Sequence, residues 1–282
     1  MKMEPYFSSN DGAYVLYAGD VCDTLHSLDT RPFDMIFADP PYFLSNGGFS
    51  VQAGRCVSVN KGDWDKSNGT ELDRLFTVSW LKACRNLMAD SATIWVCGTY
   101  HNIFTVAEAL SELKFKILNV ITWQKTNPPP NLSCRYFTHS TEFLIWARKH
   151  ERIAHRYNYE TMRKIAGGRQ MTDVWRMPAI APWEKTCGKH PAQKPISLVA
   201  RAMLSCSEPG DAILDPFAGS GTTGIAANLL GRRFVGVERE RAFLNMAANR
   251  RQRLNDMREI WLSKLPDLKM LTPQGDSAEL MV

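Results

Sequence analysis

A run of four residues, Asp39-Pro40-Pro41-Tyr42, follows an apolar stretch and combines an acid, two prolines and an aromatic ring. Because prolines cannot continue a strand, they fix the chain so that the Asp39 carboxylate and the Pro40 carbonyl project from the strand end. Two such acceptors can bind both hydrogens of a planar exocyclic amine and localise its lone pair, while Tyr42 offers a flat surface to a base. The alternative is a stiff turn without chemistry.

A second candidate site is the glycine turn that begins at Asp215. Gly219, Gly221 and Gly224 have the spacing G-x-G-x-x-G between a predicted strand and a predicted helix, and Glu238 lies at the end of the next strand. This context is typical of a nucleotide site, in which glycines allow close approach of the backbone and a carboxylate binds the ribose hydroxyls.

The charge on Asp215 narrows the choice of ligand for this turn. Its carboxylate would repel a pyrophosphate and attract a cation such as an α-amino group. The turn also lacks the Gly-Lys-Ser/Thr of a triphosphate-binding loop. S-adenosylmethionine, which has no phosphate, suits both acids, and its methyl group is already activated, so no metal is expected. Two alternatives stay open. The turn could belong to a nicotinamide-dependent oxidoreductase, or it could only pack a helix on a strand.

The elements that must position these residues alternate along the chain. Short apolar runs and amphipathic stretches predict an α/β sheet with helices on both faces. The predicted strands are Tyr14–Tyr17, Met35–Ala38, Thr93–Cys97, Ile117–Trp123, Glu142–Trp146, Ala212–Leu214 and Phe234–Val237. The predicted helices are Leu72–Met88, Ile103–Leu113, Ile196–Cys206, Thr222–Leu230 and Arg241–Leu254. Both candidate sites would then lie at the carboxyl edge of the sheet, where ligands bind in open α/β sheets.

The composition and the charge distribution indicate the class of protein and the kind of partner that it binds. The 282 residues, 44% hydrophobic and 22% charged, predict a soluble globular protein and exclude a fibrous or wholly disordered one. Residues 125–194 hold 13 basic and 5 acidic residues, a net charge of +8, which leaves −3 for the rest of a chain whose total is +5. A basic segment of this kind favours a polyanionic partner such as nucleic acid, with a solvated surface as the alternative.

The cysteines and the lengths of the apolar runs indicate the cellular compartment of the protein. The seven cysteines contain no Cys-x-x-Cys pair, which argues against a disulfide framework and against a zinc cluster. The first nine residues have no apolar run of signal-peptide length, and no stretch approaches eighteen apolar residues. The prediction is a cytoplasmic protein without a membrane segment.

Three stretches interrupt the alternation of elements. Residues 43–69 contain five glycines and predict a long functional loop, in which Trp64 is a candidate lid residue. Residues 148–195 are basic and irregular, and the chain after Leu262 is expected to fray. His101, His139 and His190 lack metal spacing and are predicted to be structural.

The two motifs, Asp39-Pro-Pro-Tyr42 followed much later by Asp215-Pro-Phe-Ala-Gly-Ser-Gly-Thr-Thr223, resemble those of the β-class DNA amino-methyltransferases over about residues 13–255. The resemblance implies a permuted Rossmann-like, S-adenosylmethionine-dependent methyltransferase fold with a mixed seven-stranded sheet. It implies that Asp39, Pro40, Pro41 and Tyr42 are catalytic.

The resemblance also assigns cofactor contacts. It implies that Asp20 approaches the cofactor adenine and that Glu238 binds the ribose. Lys194, in the run His190-Pro-Ala-Gln-Lys-Pro195, would lie near the cofactor carboxylate. The loop that holds the methionine end would comprise Asp215, Phe217, Gly219, Ser220, Gly221, Thr222 and Thr223.

The basic segment occupies the place of the family's target-recognition region. The expected organisation is a catalytic half at 1–147, a target-recognition insertion at 148–190, a cofactor-binding half of the same domain at 191–260 and a flexible tail at 261–282. The candidate DNA contacts are Lys125, Asn127, Arg135, Tyr136, Arg148, Lys149, Arg152, Arg156 and Arg176.

A narrower resemblance rests on residues 39–48, 61–66 and 131–142, which are similar to the second adenine methyltransferase of GATC-recognising restriction–modification systems. It implies methylation of adenine N6 in GATC, in duplex DNA and also in single-stranded DNA, with a cognate endonuclease and a homodimer as candidate partners. Cytosine-N4 methylation is the alternative, although serine usually replaces the first acid there, and a catalytically silent DNA-binding regulator is another.

Overall fold

The computed structural model describes residues 3–30, 32–44, 49–52, 55–58, 65–185, 187–188 and 190–271. Nine of its strands form one sheet in the order β1-β2-β11-β10-β3-β6-β8-β7-β9. Their bounds are β1 Phe7–Ser8, β2 Tyr14–Ala18, β3 Phe33–Ala38, β6 Met88–Gly98, β7 Lys116–Lys125, β8 Thr141–Arg148, β9 Val174–Met177, β10 Ala212–Asp215 and β11 Arg233–Glu238. The strands β4 Phe49–Gln52 and β5 Arg55–Ser58 form a separate hairpin.

Eight α-helices connect these strands within the described residues. They are α1 Val21–Ser27, α2 Thr70–Leu87, α3 Ile103–Glu112, α4 Tyr159–Ile165, α5 Ile196–Cys206, α6 Thr222–Leu229, α7 Arg241–Leu262 and α8 Pro266–Leu271. Helices α1, α2 and α3 cover one face of the sheet and α4 to α8 cover the other, so each face has its own apolar core. No helix in the described ranges is long and apolar enough to cross a membrane.

The central strands β2, β11, β10, β3 and β6 are all parallel. Their carboxyl ends therefore meet at one edge, here called the carboxyl edge, and the opposite edge is the amino edge. Strand β8 is antiparallel to both β6 and β7, so β7 also ends at the carboxyl edge. After β10 the chain continues into α6 on one face of the sheet, and after the adjacent β3 it continues into α2 on the other face. Ligands bind outside the carboxyl ends of the strands at such a point.

The predicted α/β fold with helices on both faces is confirmed, with nine strands instead of seven in the main sheet. The two additional strands are β1, which has only two residues, and β9. In β9, Trp175 and Met177 are buried while Val174 and Arg176 are exposed. This alternation is a strand pattern, but it is only four residues long and stands within the basic segment.

The described part of residues 148–190 differs from the expected insertion, because it is built into the domain. Strand β9 extends the main sheet beside β7, and Met162 and Ile165 of α4 join the apolar core. The loop predicted at 43–69 also contains regular structure, the β4–β5 hairpin, while Trp64 lies outside the described residues.

The start of the expected tail is ordered. Trp261 and Leu265 are buried, and α8 is held by Arg201 on α5, whose guanidinium makes two hydrogen bonds to Asp267 at 2.5 and 2.7 Å. The expectation of a flexible tail is therefore wrong for residues 261–271, because their apolar side chains complete the core. Residues 272–282 lie outside the described part.

Candidate active site

A cavity of about 330 Å³ opens at the carboxyl edge beside β10 and β3. Its volume is that of a small-molecule site. Both predicted sites contribute to its wall: Asp39 to Tyr42 from the loop after β3, and Asp215 to Gly219 from the loop after β10. The two motifs, 176 residues apart between Asp39 and Asp215 in the chain, thus line one space because their strands are neighbours.

Asp39 stands just beyond β3, and side chains from elsewhere hold its carboxylate. The Lys194 ammonium donates to both carboxylate oxygens at 2.7 and 2.8 Å, and the Tyr42 hydroxyl donates to one of them at 2.8 Å. Burial lowers the pKa of Lys194, but the negative charges of Asp39 and Glu142 outweigh it and raise that pKa above its usual value. Lys194 is therefore a cation at neutral pH.

The position of Lys194 near the cofactor carboxylate stays a prediction, and the structure shows which protein groups its ammonium binds. Its side chain lines the cavity, but the ammonium pairs with Asp39 and lies 3.5 Å from Glu142. Two carboxylates in a poorly solvated place attract the ammonium more strongly than open solvent does.

Glu142, at the start of β8, joins this network from the other side. One of its oxygens accepts from the Lys125 ammonium at 2.5 Å, and the other accepts from the Tyr42 hydroxyl at 3.4 Å. Four side chains of alternating charge, Lys125, Glu142, Lys194 and Asp39, therefore lie in a row beside the cavity. Sequence analysis missed Glu142, since a single acid at the start of an apolar strand has no spacing signature.

The Asp39-Pro-Pro-Tyr42 turn is anchored by a second residue that sequence analysis missed. Asp65 is fully buried, and its carboxylate accepts hydrogen bonds from the backbone N–H groups of Tyr42, Phe43 and Leu44 at 2.8 to 3.3 Å. Phe43 has a positive φ of 58°, a conformation unusual for a residue with a side chain. The three bonds to Asp65 compensate for this strain and fix the position of Tyr42.

Tyr42 is buried and lies against the ion-pair network. The Lys194 ammonium is 5.1 Å from the centre of its ring. Burial and the charges of Asp39 and Glu142 raise the pKa of Tyr42 well above its usual value, so its hydroxyl stays protonated and remains a donor.

Asp215 ends β10 with its carboxylate held by its own loop. The Phe217 N–H donates to one oxygen at 2.9 Å and the Thr223 hydroxyl to the other at 2.5 Å. Burial raises the pKa of Asp215 to about 7, with contributions from the charges of Asp39 and Glu238, although the two hydrogen bonds oppose the shift. A cationic group near Asp215 would restore its negative charge.

Glu238, at the end of β11, closes the same loop. The Gly219 N–H donates to one of its oxygens and the Glu240 N–H to the other, both at 2.8 Å. Burial raises the pKa of Glu238 above its usual value. Asp20 also lines the cavity, where it caps α1 by accepting from the N–H groups of Cys22 and Asp23.

The rest of the glycine turn is positioned by Arg250, a third residue that sequence analysis missed. This buried arginine donates from one nitrogen to the Ser220 carbonyl and hydroxyl and to the Thr222 hydroxyl, at 2.7, 3.1 and 3.0 Å. Gly221 caps α6 with φ 75°, and a Cβ there would stand 2.3 Å from the Tyr14 hydroxyl. Gly221 and Gly224 therefore serve close packing, whereas Gly219, Ser220, Thr222 and Thr223 line the cavity.

The cavity fits the predicted cofactor. Its acidic side, Asp20, Asp215 and Glu238, matches a cationic group and ribose hydroxyls, and Phe217 and Phe243 give it apolar walls. Phe217 is held by Trp80, whose ring centre lies 5.1 Å away edge to face. His190, predicted to be structural, lines the cavity as well, packed against Phe243 and 3.0 Å from where a Cβ on Gly219 would stand.

Five of the predicted DNA contacts lie near the carboxyl edge. Arg135 and Tyr136 are exposed in the loop 126–140, which joins β7 to β8 beside the cavity. Asn127 starts this loop and accepts a hydrogen bond from the Ala179 N–H, and Arg176 is exposed on β9. Lys125 also lies there, but it pairs with Glu142 and is mostly buried, which differs from the expected DNA contact.

The other four predicted contacts lie at the amino edge. Strand β8 pairs Phe143 with Gly98 but Arg148 with Thr93, so the chain leaves the sheet about 17 Å from the carboxyl edge. There Lys149 donates to the carbonyl of Met88, the first residue of β6, and Arg156 pairs with Asp211, just before β10. The structure thus separates Arg148, Lys149, Arg152 and Arg156 from the cavity by the height of the sheet.

Solved structures share this fold. The complex of M1.HpyAVI with SAM matches with a TM-score of 0.65 and 25% identity, over 84% of this chain and 98% of that one. The cytosine-N4-specific PvuII DNA methyltransferase matches with a TM-score of 0.70 over 93% of this chain and 96% of that one, at 17% identity. The fold and the cavity together define a Rossmann-like methyltransferase.

Sequence comparison identifies the family. A DNA methylase family model matches residues 33–249. The type II methyltransferase M2.MboI of Moraxella bovis is 51% identical over 250 residues, 89% of this chain and 92% of its own length. M2.DpnII of Streptococcus pneumoniae is 48% identical over 257 residues, 91% of this chain and 95% of its own length. The chain belongs to the DNA methylase family.

Proposed function

We propose that this enzyme transfers a methyl group from S-adenosylmethionine to N6 of adenine in DNA, with GATC as its target sequence. One observation carries the proposal: the Asp39-Pro40 acceptors and the acidic nucleotide-binding loop after β10 line one cavity. This arrangement suits a reaction in which an amine meets a methyl donor directly.

Asp39 and Pro40 receive the target amine. The Asp39 carboxylate and the Pro40 carbonyl accept one amino hydrogen each, which draws the lone pair out of conjugation with the ring. When bound, S-adenosylmethionine supplies an electrophilic methyl group on a sulfonium centre. As the new N–C bond forms, the bond between the methyl carbon and the sulfonium sulfur breaks and leaves a neutral thioether, and Asp39 accepts the proton that the amine loses. Catalysis is then positioning plus electrostatics.

The remaining residues hold the two reactants in place. Lys194 and the Tyr42 hydroxyl orient the Asp39 carboxylate. Glu238 binds the ribose hydroxyls and Asp215 attracts the amino group, as their charges suggest. Tyr42 and Phe43 line the cavity beside Asp39, which supports a role in contacting an extruded base. Removing the base from the duplex is required because its amine is inaccessible within the stack.

Two features support adenine and GATC. The acid Asp39 stands where cytosine-N4 enzymes usually have serine. Residues 39–48, 61–66 and 131–142 resemble the second adenine methyltransferase of GATC systems, and the chain is about half identical to M2.MboI and M2.DpnII.

A methyl-transfer assay with tritiated S-adenosylmethionine tests the proposal. The substrates are a GATC duplex, the same duplex with N6-methyladenine at the target, and one with GATC scrambled. Label should enter adenine of the first duplex only, and Asp39→Ala should abolish transfer while leaving DNA binding within about twofold. Label in cytosine would overturn adenine specificity, and full activity of Asp39→Ala would overturn the mechanism.

The wider setting is also a proposal. A place in a restriction–modification system implies a cognate endonuclease and a cytoplasmic location beside the chromosome. A homodimer is supported by exposed Leu72 and Leu75 on α2 and Phe104 on α3, since these helices pack side by side. Sedimentation velocity should give twice the mass of the 31.9 kDa chain, and a monomer at micromolar concentration would contradict it.

A further inference from the structure

Four aromatic rings form a row on the surface of the carboxyl edge. Tyr136 and His139 have ring centres 5.5 Å apart, His139 stacks on Tyr100 at 5.2 Å and 21°, and Tyr100 contacts His101 at 3.7 Å. All four residues are exposed. The row, here called the ring row, brings together two loops, the one after β6 and the one between β7 and β8.

The ring row lies beside the reacting groups. Ala38 of β3 pairs with Val96 of β6, and Gly98 pairs with Phe143 of β8, so Tyr100 follows the strand next to Asp39. His139 precedes Glu142 by three residues, and Glu142 hydrogen bonds the Tyr42 hydroxyl. At about 3.3 Å per residue, His139 lies within roughly 10 Å of Glu142.

The four rings contact one another, but none of them belongs to either apolar core. Apolar burial stabilises aromatic rings in a core, but these four are on the surface, half of the Tyr100 side chain and 61% of Tyr136 being exposed. Exposed rings that present flat faces are the usual platform for unstacked bases, since every base has a π-face. Arg135, adjacent to Tyr136, adds a cation that can contact the neighbouring phosphate.

We propose that the ring row of Tyr100, His101, His139 and Tyr136 is a stacking platform for the bases that flank the target adenine. The inference rests on the proposed function, because extrusion of the target leaves its neighbours unstacked. The platform takes bases by ring contact and without sequence preference, and it therefore serves single-stranded DNA as well as an opened duplex.

Fluorescence of 2-aminopurine tests the platform without any methyl transfer. The probe is a single-stranded oligonucleotide with 2-aminopurine beside the GATC adenine, titrated with protein at several salt concentrations. Wild-type protein should quench the probe. Tyr100→Ala and His139→Ala should each weaken binding about tenfold and reduce quenching. The salt slope should not change, because stacking releases no counterions.

Matched variants separate stacking from folding. Tyr100→Phe and His139→Phe keep a ring and should retain most of the quenching. Tyr159→Ala removes an exposed tyrosine ring near the amino edge and should behave as wild type. Unchanged affinity and quenching in Tyr100→Ala and His139→Ala, or a loss confined to the salt slope, would overturn the platform. Failure of the proposed function would appear separately, as absent adenine methylation by the wild-type protein.

Discussion

Asp39 and Glu142 compete for one cation. Lys194 donates to Asp39 at 2.7 Å and stands 3.5 Å from Glu142, while Lys125 neutralises Glu142 from its far side. In the proposed reaction, a target amine that donates to Asp39 must share the carboxylate with Lys194. Glu142 gives the ammonium a second acceptor, so that Asp39 can turn toward the amine without leaving a buried charge unpaired.

Glu142→Gln should therefore lower kcat. The amide keeps the size of the side chain but removes the charge that draws Lys194 away from Asp39, and one charge-assisted hydrogen bond of about 1.5–3 kcal/mol is lost. We expect kcat to fall about tenfold or more, with cofactor affinity unchanged by calorimetry, because the ion pairs of Glu142 lead to Lys125 and Lys194 and not to the cofactor loop.

Two control variants test whether the charge of Glu142 is the cause of the lower kcat. Glu142→Asp, which keeps the charge, should restore part of kcat, and Glu112→Gln, at an exposed glutamate of α3, should behave as wild type. Equal losses in Glu142→Asp and Glu142→Gln would assign Glu142 a packing role. A loss in cofactor affinity would show that Glu142 acts on the cofactor-binding side of the cavity and not on Asp39.

At the scale of elements, the turn from β10 into α6 depends on close packing. Gly221 has φ 75°, and a Cβ there would stand 2.3 Å from the Tyr14 hydroxyl and 3.2 Å from the Ala247 backbone. This turn presents both the Gly219 N–H to Glu238 and the Ser220 side chain to Arg250. Both the cofactor site and the packing of the core therefore depend on the geometry of this turn.

Gly221→Ala should destabilise the protein more than backbone strain alone does. Gly167, just after α4, has a similar φ of 67°, but its Cβ would meet no described atom within 4 Å. Gly167→Ala should therefore cost about 1–2 kcal/mol and Gly221→Ala at least about 2 kcal/mol more, a difference of about 4 °C or more in Tm. Equal Tm values in the two variants, measured by calorimetry, would show that the turn accommodates a Cβ at Gly221 without a loss of stability.

Individual elements differ in how far the sequence predicted them. The strands β3, β7 and β8 and the helices α2, α3, α5 and α6 were predicted within two residues at each end, because their patterns repeat over several turns or pairs. Strand β6 was predicted only from Thr93 onward, five residues after its start. The two-residue β1 and four-residue β9 were missed, since their formation depends on pairing with β2 and β7. Helix α8 was missed because its stability comes from Arg201 and the core beneath it.

At the scale of the whole molecule, the sheet divides the basic segment between two edges. Arg135 and Arg176 lie near the carboxyl edge, at which the cavity opens, whereas Arg152 and Arg156 follow β8 to the amino edge. Positive charge on the amino edge can raise the general attraction to DNA, but it cannot contact the phosphates around an adenine held at Asp39.

Paired substitutions test this division. Arg135→Gln with Arg176→Gln should reduce the slope of log affinity against log salt by about two, one phosphate contact for each arginine. Arg152→Gln with Arg156→Gln removes the same charge and should leave the slope unchanged, as measured by fluorescence anisotropy with duplex DNA. A reduced slope in the second pair alone would place the DNA at the amino edge.

The sequence by itself determined the class of fold and the two motifs that line the cavity. Those properties reside in short runs, Asp39 to Tyr42 and Asp215 to Thr223, whose residue types have a local physical meaning: prolines end a strand, and glycines permit a tight turn. The excess of positive charge in residues 125–194 likewise favours nucleic acid as a partner.

Only the tertiary structure decided which side chains meet. Lys194 pairs with Asp39 across 155 residues, Asp65 anchors the turn after Asp39, and Glu142 enters from β8 because that strand is antiparallel to β6. The direction of β8 also carries the arginines that follow it to the amino edge. Strand order and direction follow from the packing of the whole chain, and no local spacing in the sequence encodes them.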